Sequence, residues 1–213
     1  MRWPWTRPET RAASQSFIAL ASLPHSQWGG IDAGPLMRDG FVGNAVAYRC
    51  VRMVAEAAAS VPLVTGHDAA AKLLRAPAPD MAGASFLEGV YTQLQLAGNA
   101  FVEAVQIDGR DGIAALFALR PDSVRPVTDA RGWVEAWAVR ERRGERVIRR
   151  EATGWSPVLH LKLFNPADDV MGLPPLGAAR RAPDLHNASA DWAKALIDNS
   201  AKPSGALVYG GGG

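Results

Sequence analysis

The first regular pattern along the chain is a stripe of apolar residues that begins just after Asn44. Its members are spaced four and three residues apart, as on one face of an α-helix. The stripe consists of Ala47, Val51, Val54, Ala58 and Val61. Asn44 is a favoured N-cap, because its side-chain oxygen accepts a hydrogen bond from a free amide of the first turn. Pro62 cannot continue a helix, so the pattern predicts a helix over 44–60 and a short strand over 63–65.

Two further helices are predicted before residue 100. The first is short and covers 67–74. The second is predicted to start at Ser85, because Glu88 follows three residues later and the two side chains can form a capping box. Its apolar face consists of Leu87, Val90, Leu94 and Ala97. Gly98 is typical of the residue that ends a helix, so this helix is predicted to end there.

From Ala100 onward the apolar period changes to two, which is typical of β-strands. The predicted strands cover 101–107, 113–119, 124–127, 133–139, 146–149 and 158–164. The turns predicted between them are Asp108-Gly109, Arg120-Pro121-Asp122, Arg131-Gly132 and Arg143-Gly144. Successive strands joined by tight turns pair with each other in opposite directions, so this part of the chain is predicted to form an antiparallel β meander.

The last third of the chain returns to helical spacing. A short helix is predicted over 176–182, broken by Pro183, and a longer one over 184–199. The apolar stripe of the longer helix consists of Leu185, Ala188, Trp192 and Leu196. A final strand is predicted over 206–209. The predicted fold class is therefore α+β, with helices packed against an antiparallel β meander.

The same patterns divide the chain into three parts. Residues 1–43 contain four prolines and no sustained periodicity, which predicts an irregular N-terminal arm. Residues 44–209 form the predicted α+β domain. The four glycines at 210–213 have no side chains to pack, and we interpret this tail as the point at which a longer chain is cut.

Composition narrows the possible functions. The chain has 213 residues, of which 48% are apolar and 21% are charged, as in ordinary globular proteins. Its formal net charge is only +2, which disfavours tight binding to a phosphate backbone. The single cysteine, Cys50, excludes an intrachain disulfide. No run of apolar residues approaches the roughly 20 that span a membrane, so no membrane partner is expected.

Catalytic and metal-binding motifs are absent from the sequence. There is no phosphate-binding loop of the G-x-x-x-x-G-K-[ST] type, no G-x-S-x-G elbow, and no paired-cysteine or H-E-x-x-H spacing. No catalytic residue, cofactor or metal site is therefore predicted. An enzyme that uses His160 with Asp168 or Asp169 remains an alternative hypothesis, although an alternating position on a strand favours a half-exposed structural role for His160.

The segment Arg140–Glu151 is the densest cluster of charge, with six arginines and three glutamates. One interpretation is a nucleic-acid-binding module that uses Arg140–Arg150, which would bind with a steep salt dependence. The other is an exposed hairpin whose charges pair across strands. The interleaved glutamates would repel phosphates and favour the second interpretation.

Five blocks of this sequence, in order, resemble the portal proteins of tailed bacteriophages, in the siphophage-type branch. They cover much of 44–209: NAVAYRCVRMVAEAAASVPL from Asn44, FLEGVYTQLQLAGNAFVEAV from Phe86, LRPDSV from Leu119, VLHLKLFNPADDVMGLPPL from Val158, and DNSAKPSGAL from Asp198. The resemblance implies a wing-like domain of a structural subunit. Such subunits form a homo-oligomeric ring, typically of twelve copies, at one capsid vertex, and double-stranded DNA is packaged and ejected through it.

The resemblance also implies partners and a location. The expected partners are further copies of the subunit, the major capsid protein and the DNA in the channel. The head–tail adaptor and terminase would be contacted through the stem, clip and crown, which this chain lacks. The location would be a virion or phage-like particle assembled in the bacterial cytoplasm; phage, prophage remnant and gene transfer agent remain open alternatives. Residues predicted at a subunit or capsid interface are Trp3, Trp5, Trp28, Arg140, Arg142 and Arg143.

Overall fold

The computed structural model describes Gly34 and residues 36–107, 112–151 and 153–199. Four predictions therefore lie outside the described residues: most of the arm 1–43, the Asp108-Gly109 turn, the strand over 206–209 and the glycine tail. The helices are a π-helical segment Leu36–Val42, α1 Ala45–Ala59, α2 Asp68–Arg75, α3 Gly83–Ala97, α4 Pro175–Ala178 and α5 Arg181–Asp198. The strands are β1 Asn99–Val105, β2 Ala115–Leu119, β3 Val124–Thr128, β4 Val134–Glu141, β5 Gly144–Arg149 and β6 Val158–Lys162.

Helix α1 begins as predicted, but its buried face differs from the predicted stripe. The Asn44 side chain accepts a hydrogen bond from the Ala47 amide at 2.9 Å, which confirms the N-cap. The buried residues are Ala47, Val51 and Ala55, whereas Val54 and Val61 are exposed. The buried face follows a spacing of four because small residues allow close packing against α3, so the predicted stripe is right at Ala47 and Val51 and wrong at Val54 and Val61. The predicted strand over 63–65 is wrong, since those residues belong to no described strand.

Helix α3 begins earlier than predicted, at Gly83, and uses no side-chain cap. The predicted capping box is wrong because Glu88 forms an ion pair with Arg52 of α1 at 2.8 Å instead. Gly83 is required by packing, since a Cβ added there would lie 2.0 Å from the Leu74 carbonyl oxygen. The predicted end at Gly98 is confirmed, with a left-handed φ of 69°.

The strands form two antiparallel sheets rather than one meander. Their orders are β2-β1-β6 and β3-β4-β5. The predicted meander is corrected at β6, which returns to pair with β1 in the register Phe101↔His160. Strand β1 is buried on both faces at Ala100, Phe101 and Val102, and a strand so enclosed requires a neighbour on each edge to satisfy its backbone groups.

The main core lies where the two sheets meet. It contains Phe101, Val124, Trp137, Val139, Ile148 and Val158. A second cluster packs β1 against α3 through Phe86, Val90, Ala100 and Val102. A third packs α1 against α3 and α4 through Ala47, Val51, Leu96 and Leu176. The β4–β5 hairpin contributes Trp137, Val139 and Ile148 to the first of these cores.

Helix α5 differs most from its prediction. It starts at Arg181, before Pro183, which is tolerated because the first turn of a helix does not need that amide donor. Pro183 is the buried residue of α5, and the predicted stripe is exposed: Leu185 is 72% and Trp192 is 67% exposed. No described helix is long and apolar enough to cross a membrane.

Candidate interaction site

The predicted interface residues fall into two groups. Trp3, Trp5 and Trp28 lie outside the described residues. The other group consists of Arg140, Arg142 and Arg143, which the structure brings together as exposed residues at the end of the β4–β5 hairpin.

The hairpin is closed by two arginines. Its last paired residues are Glu141 and Gly144, so Arg142 and Arg143 form the connecting loop. Gly144 has a φ of 141°, a conformation that L-residues rarely adopt. The local sequence therefore folds back at this glycine and presents two guanidinium groups at the tip of the hairpin.

Most charges along the body of the hairpin pair with each other. Arg125 on β3 donates two hydrogen bonds to Glu145 on β5, at 2.6 and 3.0 Å. Arg149 pairs with Glu135 at 3.0 Å. Hydrogen bonds to Glu145 raise the pKa of Arg125. This pairing agrees with the interpretation of a charged hairpin whose side chains neutralise each other across strands.

Arg146 connects the hairpin to the other sheet. Its guanidinium donates to both carboxylate oxygens of Glu103 on β1, at 2.7 and 2.9 Å, and to Glu141 at 2.6 Å. The hydrogen bonds that it donates to Glu103 and then to Glu141 raise its pKa. Because Glu103 is only 14% exposed, this pair is better shielded from solvent than the others on the hairpin.

The tip behaves differently from the body of the hairpin. Within the described part of the chain, Arg142 and Arg143 have no ion pair, and Arg140 donates to the Asp122 carbonyl at 3.3 Å. An exposed guanidinium with free donors suits a carboxylate or phosphate on another molecule. The tip is therefore the part of the hairpin that can bind a partner without breaking an internal pair.

His160 belongs to the junction of the sheets and not to a catalytic constellation. Its ring stacks on Phe101 at 4.5 Å, meets Trp137 edge-on at 4.8 Å, and its Nε2 lies 2.9 Å from Asn99 Oδ1. Burial, and then the charge of Lys162, lowers the pKa of His160 to about 4. The histidine is therefore neutral near pH 7.

The two acidic residues of the enzyme hypothesis lie in a turn, where Asp168 uses its carboxylate and Asp169 its backbone carbonyl. Asp168 Oδ1 accepts hydrogen bonds from the Val170 and Met171 amides, at 2.7 and 3.0 Å, as in a turn. The Asp169 carbonyl oxygen accepts from the Lys162 ammonium group. Within the part of the chain that the structure describes, no hydrogen bond or ion pair joins His160 to either carboxylate, and no three possible metal ligands cluster together.

Sequence reasoning missed an apolar groove beside the junction of the sheets. Its volume is about 1080 Å³, and its walls include Ile113, Trp133, Trp155 and Leu159. Trp133 is 74% exposed. The signal in the sequence is the position of Trp133 and Trp155, each directly after a glycine (Gly132 and Gly154).

Comparison with known proteins gives the family. A family model described as phage portal protein matches residues 45–212. The chain belongs to the phage portal protein family. This confirms the resemblance seen in the sequence, and the α+β architecture of helices with antiparallel sheets matches the fold of a chain in a solved gene transfer agent particle.

Solved gene transfer agent particles contain similar chains. One, in a structure of the virion of a native gene transfer agent particle, is 39% identical, with a TM-score of 0.73; the match covers 84% of this chain and 49% of that chain. A chain in the neck of the empty particle, computed with C6 symmetry, is 40% identical, with a TM-score of 0.73. A chain in the neck of the native particle, computed with C12 symmetry, is 38% identical, with the same TM-score of 0.73. Both matches cover 84% of this chain, and they cover 49% and 48% of the two neck chains.

Curated relatives are also longer than this chain. An uncharacterized protein of Rickettsia bellii is 31% identical over 205 residues, which are 92% of this chain and 51% of the relative. One of Rickettsia felis is 28% identical over 214 residues, 96% of this chain and 53% of the relative. The chain therefore spans about half the length of the curated relatives that it matches.

Proposed function

We propose that the protein is a structural portal subunit. In this proposal, twelve copies form a ring at one vertex of a capsid, and double-stranded DNA is packaged and ejected through the ring. The observation that carries the proposal is the similarity, at 38% identity and a TM-score of 0.73, to a chain in a gene transfer agent neck computed with C12 symmetry. Family membership over residues 45–212 supports it independently.

The charge distribution is compatible with passage of DNA. Affinity for DNA rises steeply with the number of phosphates that basic side chains neutralise, and a tight grip would stall sliding. The net charge is only +2, and Arg125, Arg146 and Arg149 are already paired with glutamates. The proposed function needs no catalytic residue, cofactor or metal, because a conduit performs no bond chemistry.

A cyclic ring requires two different surfaces on each subunit, one for each neighbour. We assign the hairpin tip, with Arg140, Arg142 and Arg143, to a surface that contacts an acidic region of a neighbouring subunit or of the major capsid protein. Trp3, Trp5 and Trp28 of the arm are proposed as anchors of the same kind of contact, because tryptophan and arginine supply much of the binding energy of interfaces.

The remaining partners follow from the family. The head–tail adaptor and terminase would be contacted through parts of a longer portal protein that lie outside this chain. The proposed location is a virion or phage-like particle, assembled in the bacterial cytoplasm. Among phage, prophage remnant and gene transfer agent, the similar solved structures favour a gene transfer agent particle.

Ring formation by the full-length protein is the direct test. Native mass spectrometry and electron microscopy of the purified full-length protein should give a closed ring, with twelve copies as the expected number. A protein that stays monomeric at high concentration, even with its capsid protein present, would contradict the proposal.

The tip can be tested in the same preparation. Changing Arg142 and Arg143 together to glutamate should reduce ring formation or incorporation into particles at least tenfold, because it replaces two free guanidinium groups with repelling charges. Lys72→Glu is the control, since Lys72 is exposed on α2 and has no described ion pair. Equal assembly of the double variant and the control would remove the tip from the interface.

The nucleic-acid-binding alternative makes a different prediction. If Arg140–Arg150 bound DNA as a module, the isolated chain would bind duplex DNA, with an affinity that falls steeply as salt rises. The internal pairs of Arg146 and Arg149 disfavour this outcome. Tight, salt-dependent binding that is lost in the Arg142/Arg143 double variant would favour the module over the conduit.

A further inference from the structure

The apolar groove beside the junction of the sheets is lined both by apolar side chains and by arginines that have no ion pair within the described residues. Its apolar wall exposes Trp133 by 74%, Leu159 by 56% and Ile113 by 41%. Clustered apolar side chains of this size are uncommon on a soluble surface unless something covers them. The volume of about 1080 Å³ is enough for several bulky side chains of a peptide.

In the described part of the chain, the arginines of this groove lack the ion pairs that three arginines of the second sheet form. Arg125, Arg146 and Arg149 each pair with a glutamate of the same chain. Arg131 and Arg150 line the groove, and neither side chain has an ion pair within the described residues. Asp169, which also lines the groove, offers a single opposing carboxylate. The groove therefore has an excess of unpaired guanidinium groups next to its apolar wall.

One edge of the groove is an open strand edge. The Ala104 amide donates to Pro157 O at 2.7 Å, and the Leu163 amide donates to Gly98 O at 2.8 Å. The odd-numbered residues of β6 thus bond to β1, and His160 and Lys162 turn their backbone groups away from it. No described residue hydrogen-bonds to those backbone groups. An extended segment could pair with this edge, as in recognition by strand addition.

We propose that the groove binds an extended peptide segment that carries both acidic and bulky apolar side chains. The apolar side chains pack on Trp133, Trp155 and Leu159, and the carboxylates pair with Arg131 and Arg150. The main chain of the segment pairs with the free edge of β6. This site is separate from the hairpin tip and does not depend on ring formation.

The test uses the full-length protein and three fluorescein-labelled synthetic decapeptides, read by fluorescence anisotropy. One alternates glutamate and leucine, one alternates lysine and leucine, and one alternates glutamate and serine. The Glu/Leu peptide should bind saturably, with a Kd below about 1 mM. The other two should bind at least tenfold more weakly, because one lacks the carboxylates and the other lacks the apolar side chains.

Variants assign the binding to the groove. Arg131→Gln with Arg150→Gln should weaken Glu/Leu binding at least tenfold and reduce its salt dependence, and Trp133→Ala should weaken it at least fivefold. Arg75→Gln is the matched control, since Arg75 is an exposed arginine of α2 outside this groove, and it should leave binding unchanged. All four are surface substitutions, and circular dichroism checks that each variant is folded.

Several results would overturn the proposal. These are equal binding of the lysine and glutamate peptides, binding that survives the double arginine change, and no saturable binding. If no saturable binding is found, acrylamide quenching of tryptophan fluorescence in wild type and Trp133→Ala measures how accessible Trp133 is in the full-length protein. Protection of Trp133 in the full-length protein would mean that another part of the protein, or a second copy, covers the groove.

Discussion

Arg146 and Glu103 join the two sheets by a pair of parallel hydrogen bonds, at 2.7 and 2.9 Å. The residues are 43 positions apart in sequence and lie on β5 and β1. Because Arg146 also holds Glu141 on β4, one guanidinium links three strands. This arrangement explains how a hairpin so rich in arginine is held against the rest of the domain.

The Arg146–Glu103 pair should contribute measurably to stability. Glu103→Gln retains one acceptor but removes the charge, and we expect a loss of about 1 kcal/mol, typical of a partly shielded bidentate pair. Glu141→Gln is the control, because Glu141 is 49% exposed and exposed pairs contribute roughly 0–1 kcal/mol. Urea unfolding at pH 7 measures both. A larger loss for Glu141→Gln than for Glu103→Gln would contradict this ranking.

Asn44 should be the most costly polar residue of the helical layer to replace. It is buried, caps α1, and its amide lies 2.8 Å from Asn187 Oδ1 and 3.1 Å from His186 Nδ1 of α5. Asn44→Ala removes the cap, leaves the buried Ala47 amide without its acceptor and breaks the contacts with α5, so we expect a loss of roughly 2–3 kcal/mol in unfolding free energy.

Asn44→Asp separates the two roles of this side chain. The carboxylate keeps the cap acceptor but no longer donates to α5. Amide hydrogen exchange should therefore stay slow in the first turn of α1 and become faster in the first turns of α5. Equal exchange of α5 in wild type and Asn44→Asp would mean that Asn44 does not hold that helix.

Much of the fold follows from local patterns, and the differences have a common cause. The N-cap at Asn44 and the helix end at Gly98 depend on neighbours in sequence, and each is confirmed. The start of α3, the exposure of Val54 and the return of β6 to β1 are decided by contacts between elements distant in sequence. Local periodicity carries no information about those contacts.

The candidate site, like the fold, has some features that the sequence predicts and others that depend on distant contacts. The interleaving of arginine and glutamate in 140–151 predicts pairing across strands, and Arg146 with Glu141 confirms it. The link from Arg146 to Glu103 is not visible in the sequence, because it depends on how the two sheets meet. The groove is likewise formed by loops and strands that are far apart along the chain, so only Trp133 and Trp155 hint at it.

His160 should make the stability of the domain depend on pH. Its pKa is lowered from 6.5 to about 4, so between these values the unfolded chain binds more protons than the folded one. Stability contributed by neutral His160 is complete above about pH 6.5 and is lost as pH falls toward 4. After allowance for partial exposure of the ring, we expect a loss of roughly 1–2 kcal/mol over that range.

The contribution of His160 to the pH dependence of the unfolding free energy can be isolated by substitution. His160→Gln keeps a donor for Asn99 Oδ1 and does not titrate, so the difference in unfolding free energy between wild type and variant should shrink as pH falls from 6.5 to 4. Urea unfolding at half-unit pH steps gives that difference directly. A difference that stays constant with pH would show that His160 has an ordinary affinity for protons in the folded state.

Gly98 should tolerate no side chain, for a reason that combines conformation and space. It ends α3 with a φ of 69°, and a Cβ there would lie 2.5 Å from the carbonyl carbon of Leu173. The clash is with backbone, which cannot rotate away, so Gly98→Ala should cost more than about 3 kcal/mol, as overpacking adds to the strain of the left-handed conformation.

Gly132→Ala is the matched control, since Gly132 has a φ of 84° with nothing within 4 Å of the added carbon. That variant should lose only about 1 kcal/mol, from backbone strain alone. Equal losses for the two variants in urea unfolding would mean that the Gly98–Leu173 contact relaxes freely and that conformation alone decides both positions.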